Sequence, residues 1–411
     1  MKISSDDKHI KSLIERCEKR ITEAGGFINE RLKVRYERGE MTLSLPISVE
    51  EGAPLIFVPE AVMPVVEQFN IALVEGGLNA TKKTEVELDE GVQPASDLQV
   101  EMMSTMMEMY SAAGKIRSYS QFSPQLSFGA YPQLLEVLNR SRTAPLRKAE
   151  GQSEEDWVVQ VFLGSRAYGG FGDKLDRLMP LIDFADHHVA APGFTQCPSE
   201  EFAGSGVAIT AAENGIRPDC QCLVSYGFLD RMEAYLNYGF ADRSPGFVRS
   251  VPVDVELPDG GLLHIAARPI SGTGIGPESF QFSDPKMQFF ASKCRFMQES
   301  ERNAIEIGFA LIPDAQHTVY LSQSLAFHLK NYESHFGCDE HSICNPETVR
   351  RAENAVIDAN TRYYKELLKS AKAANLDSSL PATKMLSQVI KEQMRYITVF
   401  TDNIENLRQQ A

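Results

Sequence analysis

Two tyrosine–glycine pairs provide the side chains best placed for chemistry in this 411-residue chain. Tyr226 precedes Gly227, Tyr238 precedes Gly239, and the second phenol follows the first by twelve positions. Glycine lets the backbone turn where a Cβ would clash, so each phenol is expected at the end of an element. A phenol held in this way can orient a reacting group by hydrogen bonding. Taken alone, a Tyr-Gly pair favours a structural tyrosine at a strand end.

The elements around these phenols can be read from the spacing of apolar residues. An apolar run ends at Ser225 and predicts a strand. The following apolar residues recur at helical spacing, which predicts a turn, a short helix and a second turn; they are Leu229, Met232, Leu236 and Phe240. Upstream, the segment 178–188 places two aspartates and two histidines behind a short apolar strand.

Together these segments resemble the C-terminal half of a SET domain, in the family of Rubisco large-subunit lysine methyltransferases. That family has Pro-Leu-x-Asp-x-x-Asn-His, followed by Ser-Tyr-Gly and then Asn-Tyr-Gly-Phe. This chain has Pro180–His187, Ser225–Gly227 and Asn237–Phe240 in those places. One position departs from the pattern, since Asp186 replaces the asparagine.

The resemblance extends toward the N-terminus. Residues 41–47 alternate like a strand, Glu50-Glu51-Gly52 predicts a turn, and 54–59 predicts a second strand, so a hairpin is expected. The strand ends in Val58-Pro59, as in the family, and Arg38-Gly39-Glu40 stands at the family's glycine-rich turn. Ser165–Tyr168 matches the family's Ser-Arg-Ala-Phe, and Arg166 precedes Asp186 by twenty residues, as it does in that family.

The resemblance implies an α+β fold, a SET core of short sheets with a helical insertion and a mainly helical C-terminal lobe. The expected divisions are 1–63 (N-terminal helix and hairpin), 64–160 (insertion), 161–245 (second half of the core) and 246–411 (substrate-binding lobe). A helix rich in methionine, from Met102 to Met109, carries methionine on more than one face and is expected in the core, with an adaptable substrate groove as the alternative. The segment Pro258–Gly261 predicts a hairpin turn, and helices are expected from about Asp284 onward, the longest over 346–374.

The family's activity assigns expected roles by position. Tyr226 is the active-site phenol of a transfer from S-adenosylmethionine to a protein side-chain amine, with lysine as the expected acceptor. The residues implied in cofactor binding are Arg38, Gly39, Glu40, Arg166, Asp183, Asp186, His187, Tyr238 and Phe240. Those implied in substrate binding are Ser165, Tyr168 and Asp183. Arg166 is suited to bind a carboxylate through a bidentate pair, and a surface salt bridge is its alternative.

Two other functions remain open. A degenerate SET-fold protein that binds a partner without catalysis is favoured by Asp186 and by the low glycine content near Gly39. A methyltransferase acting on histidine or a small-molecule amine keeps the chemistry and changes the nucleophile. The cluster His335, Cys338, His341 and Cys344 recurs at intervals of three, which is not a standard finger; it is either a zinc site or a chance cluster, and no metal is expected.

Composition sets broad limits. The net charge of -15 disfavours bare nucleic acid and suits a basic or neutral protein partner, although it also suits solubility alone. No apolar run approaches a membrane span, and the N-terminal residues lack a signal peptide's apolar segment, so a cytoplasmic protein without a membrane association is expected. Seven cysteines without framework spacing suit reduced thiols.

Overall fold

A computed structural model describes the chain except for residues 47–48, 141–147, 174, 198–203, 213–221, 228, 269, 271–278, 281–288, 291, 300–301, 315–318, 338–341 and 411, and except for the side chains of 197, 279–280, 289–290, 299 and 407–410. The α-helices are α1 (Lys8–Glu23), α2 (Asp97–Ala112), α3 (Lys115–Phe122), α4 (Pro124–Ser127), α5 (Pro132–Asn139), α6 (Glu154–Gly164), α7 (Arg231–Tyr238), α8 (Tyr320–Phe336), α9 (Pro346–Ala373) and α10 (Pro381–Gln410).

The strands are short. They are β1 (Lys2–Ser5), β2 (Phe27–Ile28), β3 (Lys33–Glu37), β4 (Glu40–Ser44), β5 (Pro54–Pro59), β6 (Phe69–Val74), β7 (Gly77–Lys82), β8 (Ala167–Tyr168), β9 (Arg177–Leu178), β10 (Asp186–His187), β11 (Thr195–Cys197), β12 (Gly206–Thr210), β13 (Leu223–Val224), β14 (Phe247–Arg249), β15 (Val253–Glu256), β16 (Leu262–Ile265), β17 (Ser279–Phe280), β18 (Phe289–Phe290), β19 (Cys294–Glu299), β20 (Arg302–Ile307) and β21 (Leu311–Pro313). The chain is thus α+β, as expected.

The chain divides into two compact units. The first comprises residues 1–121 and 148–228, and the second comprises 122–147 and 229–411. The four segments predicted from the sequence are a finer division and stay a prediction. Within the described residues, no helix combines the length and the apolarity that crossing a bilayer requires.

The first unit surrounds its core with small sheets, ordered β1-β3-β4 and β11-β12-β5-β2, with the pairs β6-β7, β8-β9 and β10-β13 beside them. Asp7 caps α1 by accepting the N–H of His9 at 2.7 Å, and α1 buries one apolar face. The five methionines of α2 are buried, which confirms the core assignment over the substrate groove. Burial of these apolar side chains stabilises the folded unit by about 25 cal/mol for each Å² of apolar surface removed from water.

The predicted hairpin between residues 41–47 and 54–59 is wrong. Strand β4 pairs with β3, and β5 pairs with β2 and β12 in another sheet. The turn between β3 and β4 consists of Arg38 and Gly39, whose φ angles are 54° and 86°. Two consecutive positive φ angles define the tight turn that matches the twist of paired strands. Alternation alone indicates a strand but does not select its partner.

The second unit contains one larger sheet, β15-β16-β20-β19, and most of the helical mass. The predicted hairpin at Pro258–Gly261 is confirmed, because β15 and β16 pair antiparallel. Helix α7 also forms where predicted and ends at Gly239, whose φ is 75°. The mainly helical last part is confirmed by α8, α9 and α10, although β19, β20 and β21 lie between Cys294 and Pro313.

A buried ion pair fixes α7 in the second unit. Arg249 of β14 donates to Glu233 of α7. Asp230 caps α7 by accepting the Glu233 N–H at 3.0 Å, and it also accepts the Arg249 N–H at 2.8 Å. The carboxylates of Asp230 and Glu233 therefore link helix α7 to strand β14.

Candidate active site

The candidate site lies around strand β13 of the first unit, which is enclosed by residues 186–193. Strand β10 pairs in parallel with β13, and Gly193 forms a parallel bridge with Ser225. The Val224 carbonyl accepts the His188 N–H at 3.2 Å, while the Ser225 N–H donates to the Pro192 carbonyl at 2.8 Å. The carbonyl and the N–H of one peptide unit point in opposite directions. Residues 186–193 therefore bond to both edges of this strand.

Two hydrogen bonds place Tyr226 at the end of the enclosed strand. Its backbone N–H donates to His187 Nδ1 at 3.0 Å. Its phenol donates to the Ala185 carbonyl at 2.5 Å. The imidazole and phenol rings also stack, with centroids 5.0 Å apart. His187 thus bonds to the backbone of the enclosed strand; its part in cofactor binding stays a prediction.

Aromatic rings continue outward from Tyr226. Phe194 stacks against Tyr226 with centroids 6.0 Å apart and an interplanar angle of 11°. Tyr168 meets Phe194 edge-on at 5.5 Å and Phe171 at 5.8 Å. Burial raises the pKa of Tyr168, so this phenol stays protonated. We call Tyr168, Phe171, Phe194 and Tyr226 the aromatic quartet. Ring faces carry negative potential and attract cations, and the Arg177 guanidinium lies 4.5 Å from the ring centroid of Phe171.

A charged triad lies in the same unit. Arg166 donates from Nη1 to Asp183 Oδ2 at 2.7 Å, and the Tyr110 hydroxyl donates to the same oxygen at 2.8 Å. Burial opposes the charge on Arg166, but the attraction of Asp183 outweighs it and raises the pKa of Arg166 above its usual value. Burial and then Asp183 raise the pKa of Tyr110 well above its usual value, so the phenol remains a donor.

The backbone beside this triad is strained. Leu181 has φ 62° and ψ -39°, and the Ile182 N–H donates to the Pro180 carbonyl at 2.8 Å. These features define the rare γ-turn, with a buried leucine at its centre. A non-glycine residue in such a conformation costs about 1–3 kcal/mol. The turn leads directly into the short 3₁₀ helix Ile182–Phe184, which carries Asp183.

The turn residues expected to bind the cofactor lie at the surface of the first unit. The Arg38 side chain is exposed and its backbone N–H donates to Asp6 at 3.4 Å. A Cβ on Gly39 would lie 3.5 Å from the Ala113 carbonyl, so the turn passes close to the end of α2. Glu40 pairs with Lys115 at 3.3 Å. Their role in cofactor binding stays a prediction.

Five further expected residues have definite positions. Ser165 caps α6 and donates to the Phe162 carbonyl at 2.7 Å, so its hydroxyl serves the helix end. Asp186 is half-buried and pairs with Leu223 across β10 and β13. Arg166 forms its ion pair with Asp183 below the surface, which contradicts the surface salt bridge, while its bidentate pairing with the carboxylate of the cofactor's methionine moiety stays a prediction. Tyr238 and Phe240 belong to the second unit, with ring centroids 6.0 Å apart, and their part in cofactor binding stays a prediction.

The possible zinc cluster lies partly outside the described residues, since Cys338 and His341 are not among them. His335 stacks on Phe296 with centroids 3.9 Å apart. Cys344 Sγ donates to the Ala326 carbonyl at 3.2 Å. Among the side chains that the structure describes, no three metal-binding groups come together.

Comparison with solved structures adds a likeness across the chain. The chain resembles a SET domain. The SET domain of LSMT bound to lysine and AdoHcy is 12% identical, with a TM-score of 0.40 over 97% of this chain and 93% of that one. Rubisco LSMT bound to AdoMet is 11% identical, with a TM-score of 0.40 over 97% and 92%. Neither a family model nor a curated protein sequence matches the chain.

Sequence reasoning missed three residues of this site. Tyr110 directly follows the methionine-rich segment Met102–Met109, and Phe194 lies in a segment without a motif. Leu181 belongs to the Pro180–His187 motif, which does not indicate its positive φ. A buried phenol with a carboxylate partner gives no local sequence signal, because Tyr110 and Asp183 are 73 residues apart. A glycine at position 181 would have indicated the positive φ, whereas leucine hides it.

Proposed function

We propose that this chain is a SET-type methyltransferase that uses S-adenosylmethionine and methylates a side-chain amine of a protein, with lysine as the acceptor. The observation that carries the proposal is the Tyr226 phenol, bonded to the Ala185 carbonyl at 2.5 Å within the aromatic quartet. This arrangement fixes a phenol oxygen and a backbone carbonyl side by side. Both are suited to orient an amine by hydrogen bonds.

An amine must be neutral to act as a nucleophile. A lysine with a pKa near 10.4 costs about 4.6 kcal/mol to deprotonate at pH 7. Enclosure by aromatic rings disfavours the ammonium through desolvation, which lowers the amine pKa. The quartet still attracts the alkylammonium during binding, and the fixed phenol and carbonyl then align the free amine. The half-buried rings therefore support both capture and alignment.

The first unit offers groups that fit S-adenosylmethionine, which supplies the transferable methyl group when bound. The buried Nε of Arg166 has no hydrogen-bond partner among the described residues, and it can donate to a carboxylate. Asp183 and Asp186 are suited to a cationic group, and the Arg38–Glu40 turn presents backbone. By resemblance we assign His187, Tyr238 and Phe240 to the same cofactor. Rubisco LSMT has been solved with AdoMet, which is the cofactor proposed here.

The second candidate function is a SET-fold protein that binds a partner without catalysis. The observation in its favour is Asp186, which lacks the amide donor of asparagine and stands three residues from Asp183. The carboxylate of Asp186 has no amide N–H to offer an anionic group, and its charge would repel one. A methyltransferase for histidine or a small amine would use the same phenol.

Calorimetry with S-adenosylhomocysteine tests the proposal first. Binding at micromolar concentration supports a methyltransferase, and its absence supports the binding protein. The second experiment incubates cell extract with the protein and methyl-labelled S-adenosylmethionine. We expect a labelled protein band with the wild type, and amino-acid analysis of the band should give methyl-lysine. A band that contains methyl-histidine instead would replace the proposed acceptor.

A further inference from the structure

Helix α9 of the second unit carries a row of cations along one exposed face. Arg362, Lys365, Lys369 and Lys372 follow at intervals of three, four and three, so they lie on one side of the helix. All four are exposed. The row runs over ten residue steps, from Arg362 to Lys372, or about 15 Å at the rise of an α-helix. We call these four residues the basic stripe.

The basic stripe has no internal counter-charge. None of its four cations forms an ion pair within 4.0 Å among the described residues. The one acidic residue between them, Glu366, pairs instead with Arg140. Helix α1 shows the ordinary pattern of a solvated helix in this chain, because Lys11 and Lys19 each lie 3.7 Å from a glutamate. The four cations of the stripe therefore differ in this respect from Lys11 and Lys19 of α1.

Helix stability does not account for this charge. Lysines in the last turn of α9 favour its dipole, but Arg362 lies more than two turns from the end, where the effect has vanished. The excess of basic residues also continues into α10. There Lys384 lies in a first turn without acidic residues, where its charge opposes the dipole of that helix. Residues 362–395 contain seven basic and three acidic residues in a chain of net charge -15. Positive charge is thus concentrated in this stretch.

We propose that the basic stripe binds an acidic segment of a partner protein, rich in aspartate and glutamate. Charge complementarity selects this class. A long nucleic acid or an anionic membrane would extend beyond the stripe and meet the acidic remainder of the chain. A short acidic segment responds only to charges within a screening length of about 8 Å. The stripe also lacks the exposed aromatic rings that bind unpaired bases. The sequence had suggested a basic or neutral partner, and this surface adds an acidic one.

The experiment measures binding of a fluorescein-labelled ten-residue glutamate peptide by anisotropy, at about 50 and 300 mM salt. The test variant replaces Lys365, Lys369 and Lys372 by glutamine. The matched control replaces Lys8, Lys11 and Lys19 of α1, which removes the same charge from an exposed helix. We expect the stripe variant to bind about tenfold more weakly and the control to change by less than about twofold. Circular dichroism checks that both variants are folded.

Three results would overturn the proposal. The first is an equal loss in both variants, which would show that only net charge matters. The second is tighter, stripe-dependent binding of a ten-nucleotide single strand or of phosphatidylserine vesicles, which would assign the stripe to another class of partner. The third is a dimer of the wild type that dissociates in the stripe variant, because the acidic segment would then belong to a second copy of this chain. The peptide binds whether or not the protein is a methyltransferase.

Discussion

The two units each contain a buried arginine–carboxylate pair, and the two pairs have similar surroundings. Arg249 pairs with Glu233 and lies 4.7 Å from the ring centroid of Phe309. Arg166 pairs with Asp183 and lies 4.8 Å from the ring centroid of Phe162. Both guanidinium groups are therefore held between a carboxylate and an aromatic face.

The difference lies in what surrounds each carboxylate. In the second unit, Asp230 and Glu233 bond to a helix start and a strand, so the pair ties two regular elements together. In the first unit, Asp183 receives a phenol and follows the strained turn at Leu181. Strain of this kind persists where the surroundings hold it in place, and it clusters at functional sites. The arginine–carboxylate pair of the second unit therefore stabilises the packing of a helix against a strand. Under the proposed function, the pair of the first unit forms part of a binding site.

Removing either arginine gives the largest expected effect. Arg249→Ala and Arg166→Ala each leave a buried carboxylate without its partner, and each should lower the free energy of unfolding by about 3–5 kcal/mol. Urea unfolding followed by circular dichroism measures this. The lysine variants then separate the two pairs, because they retain charge and lose the planar fork. Arg166→Lys should weaken S-adenosylhomocysteine binding about tenfold, and Arg249→Lys should not change it. Equal affinities in the two lysine variants would remove the functional distinction.

Two phenols that donate to backbone carbonyls give the next effect. Tyr226 donates to Ala185, and Tyr235 in the second unit donates to Ala382 at 3.0 Å. Tyr226→Phe should lower methyl transfer by about a hundredfold, since one preorganised polar contact is lost, while folding and cofactor binding stay nearly intact. Tyr235→Phe should lower stability by about 1 kcal/mol and leave the rate unchanged. The labelled-band assay measures both, and undiminished labelling by Tyr226→Phe would make that phenol structural.

We expect acid to lower the stability of the second unit because of one buried histidine. His328 of α8 is fully buried, neither ring nitrogen has a hydrogen-bond partner among the described residues, and burial lowers its pKa to about 3. The unfolded chain, with an ordinary histidine pKa near 6.5, binds the proton more readily, so stability is full above pH 6.5 and falls as the pH drops toward 3. Between pH 7 and pH 5 we expect a loss of about 2 kcal/mol from this residue.

His328→Leu provides the control for this acid effect. The variant should lose less stability between pH 7 and pH 5, by the amount that His328 contributes. Urea unfolding at both pH values measures the difference. Parallel pH dependence of the variant and the wild type would show that His328 reaches water or a proton-accepting partner in the folded state.

The smallest expected effect is at the position that departs from the family pattern. Asp186→Asn conserves size and removes one charge from a half-buried strand position. If the chain is an active methyltransferase as it stands, the variant should change S-adenosylhomocysteine affinity by no more than about twofold. Calorimetry measures this. A large gain in affinity or in methyl transfer would show that Asp186 disables the natural chain, as the non-catalytic alternative requires.

Local signals in the sequence predicted the local structure well. The spacing of apolar residues was sufficient for α7, and the turn at Pro258–Gly261 was sufficient for its hairpin. Pairing between distant strands was not predictable in this way, so the partner of β5 was wrong. The motifs located Tyr226 and His187, whose mutual hydrogen bond joins residues 39 positions apart. The hydrogen-bond partners of Asp183 could not be predicted without the three-dimensional structure, because they depend on burial and on contacts between residues far apart in sequence.

The enclosure of one strand by residues 186–193 constrains the order in which the protein can be made. The residues on both edges of that strand are synthesised before it, and more than twenty residues separate them from Leu223. Tyr226 therefore leaves the ribosome after most of the first unit is already available to fold. Either the surrounding segment stays open until then, or the late strand must pass through a closed loop, which is a slow event. Translation speed between residues 193 and 226 is thus a variable to which the yield of correctly assembled sites should be sensitive.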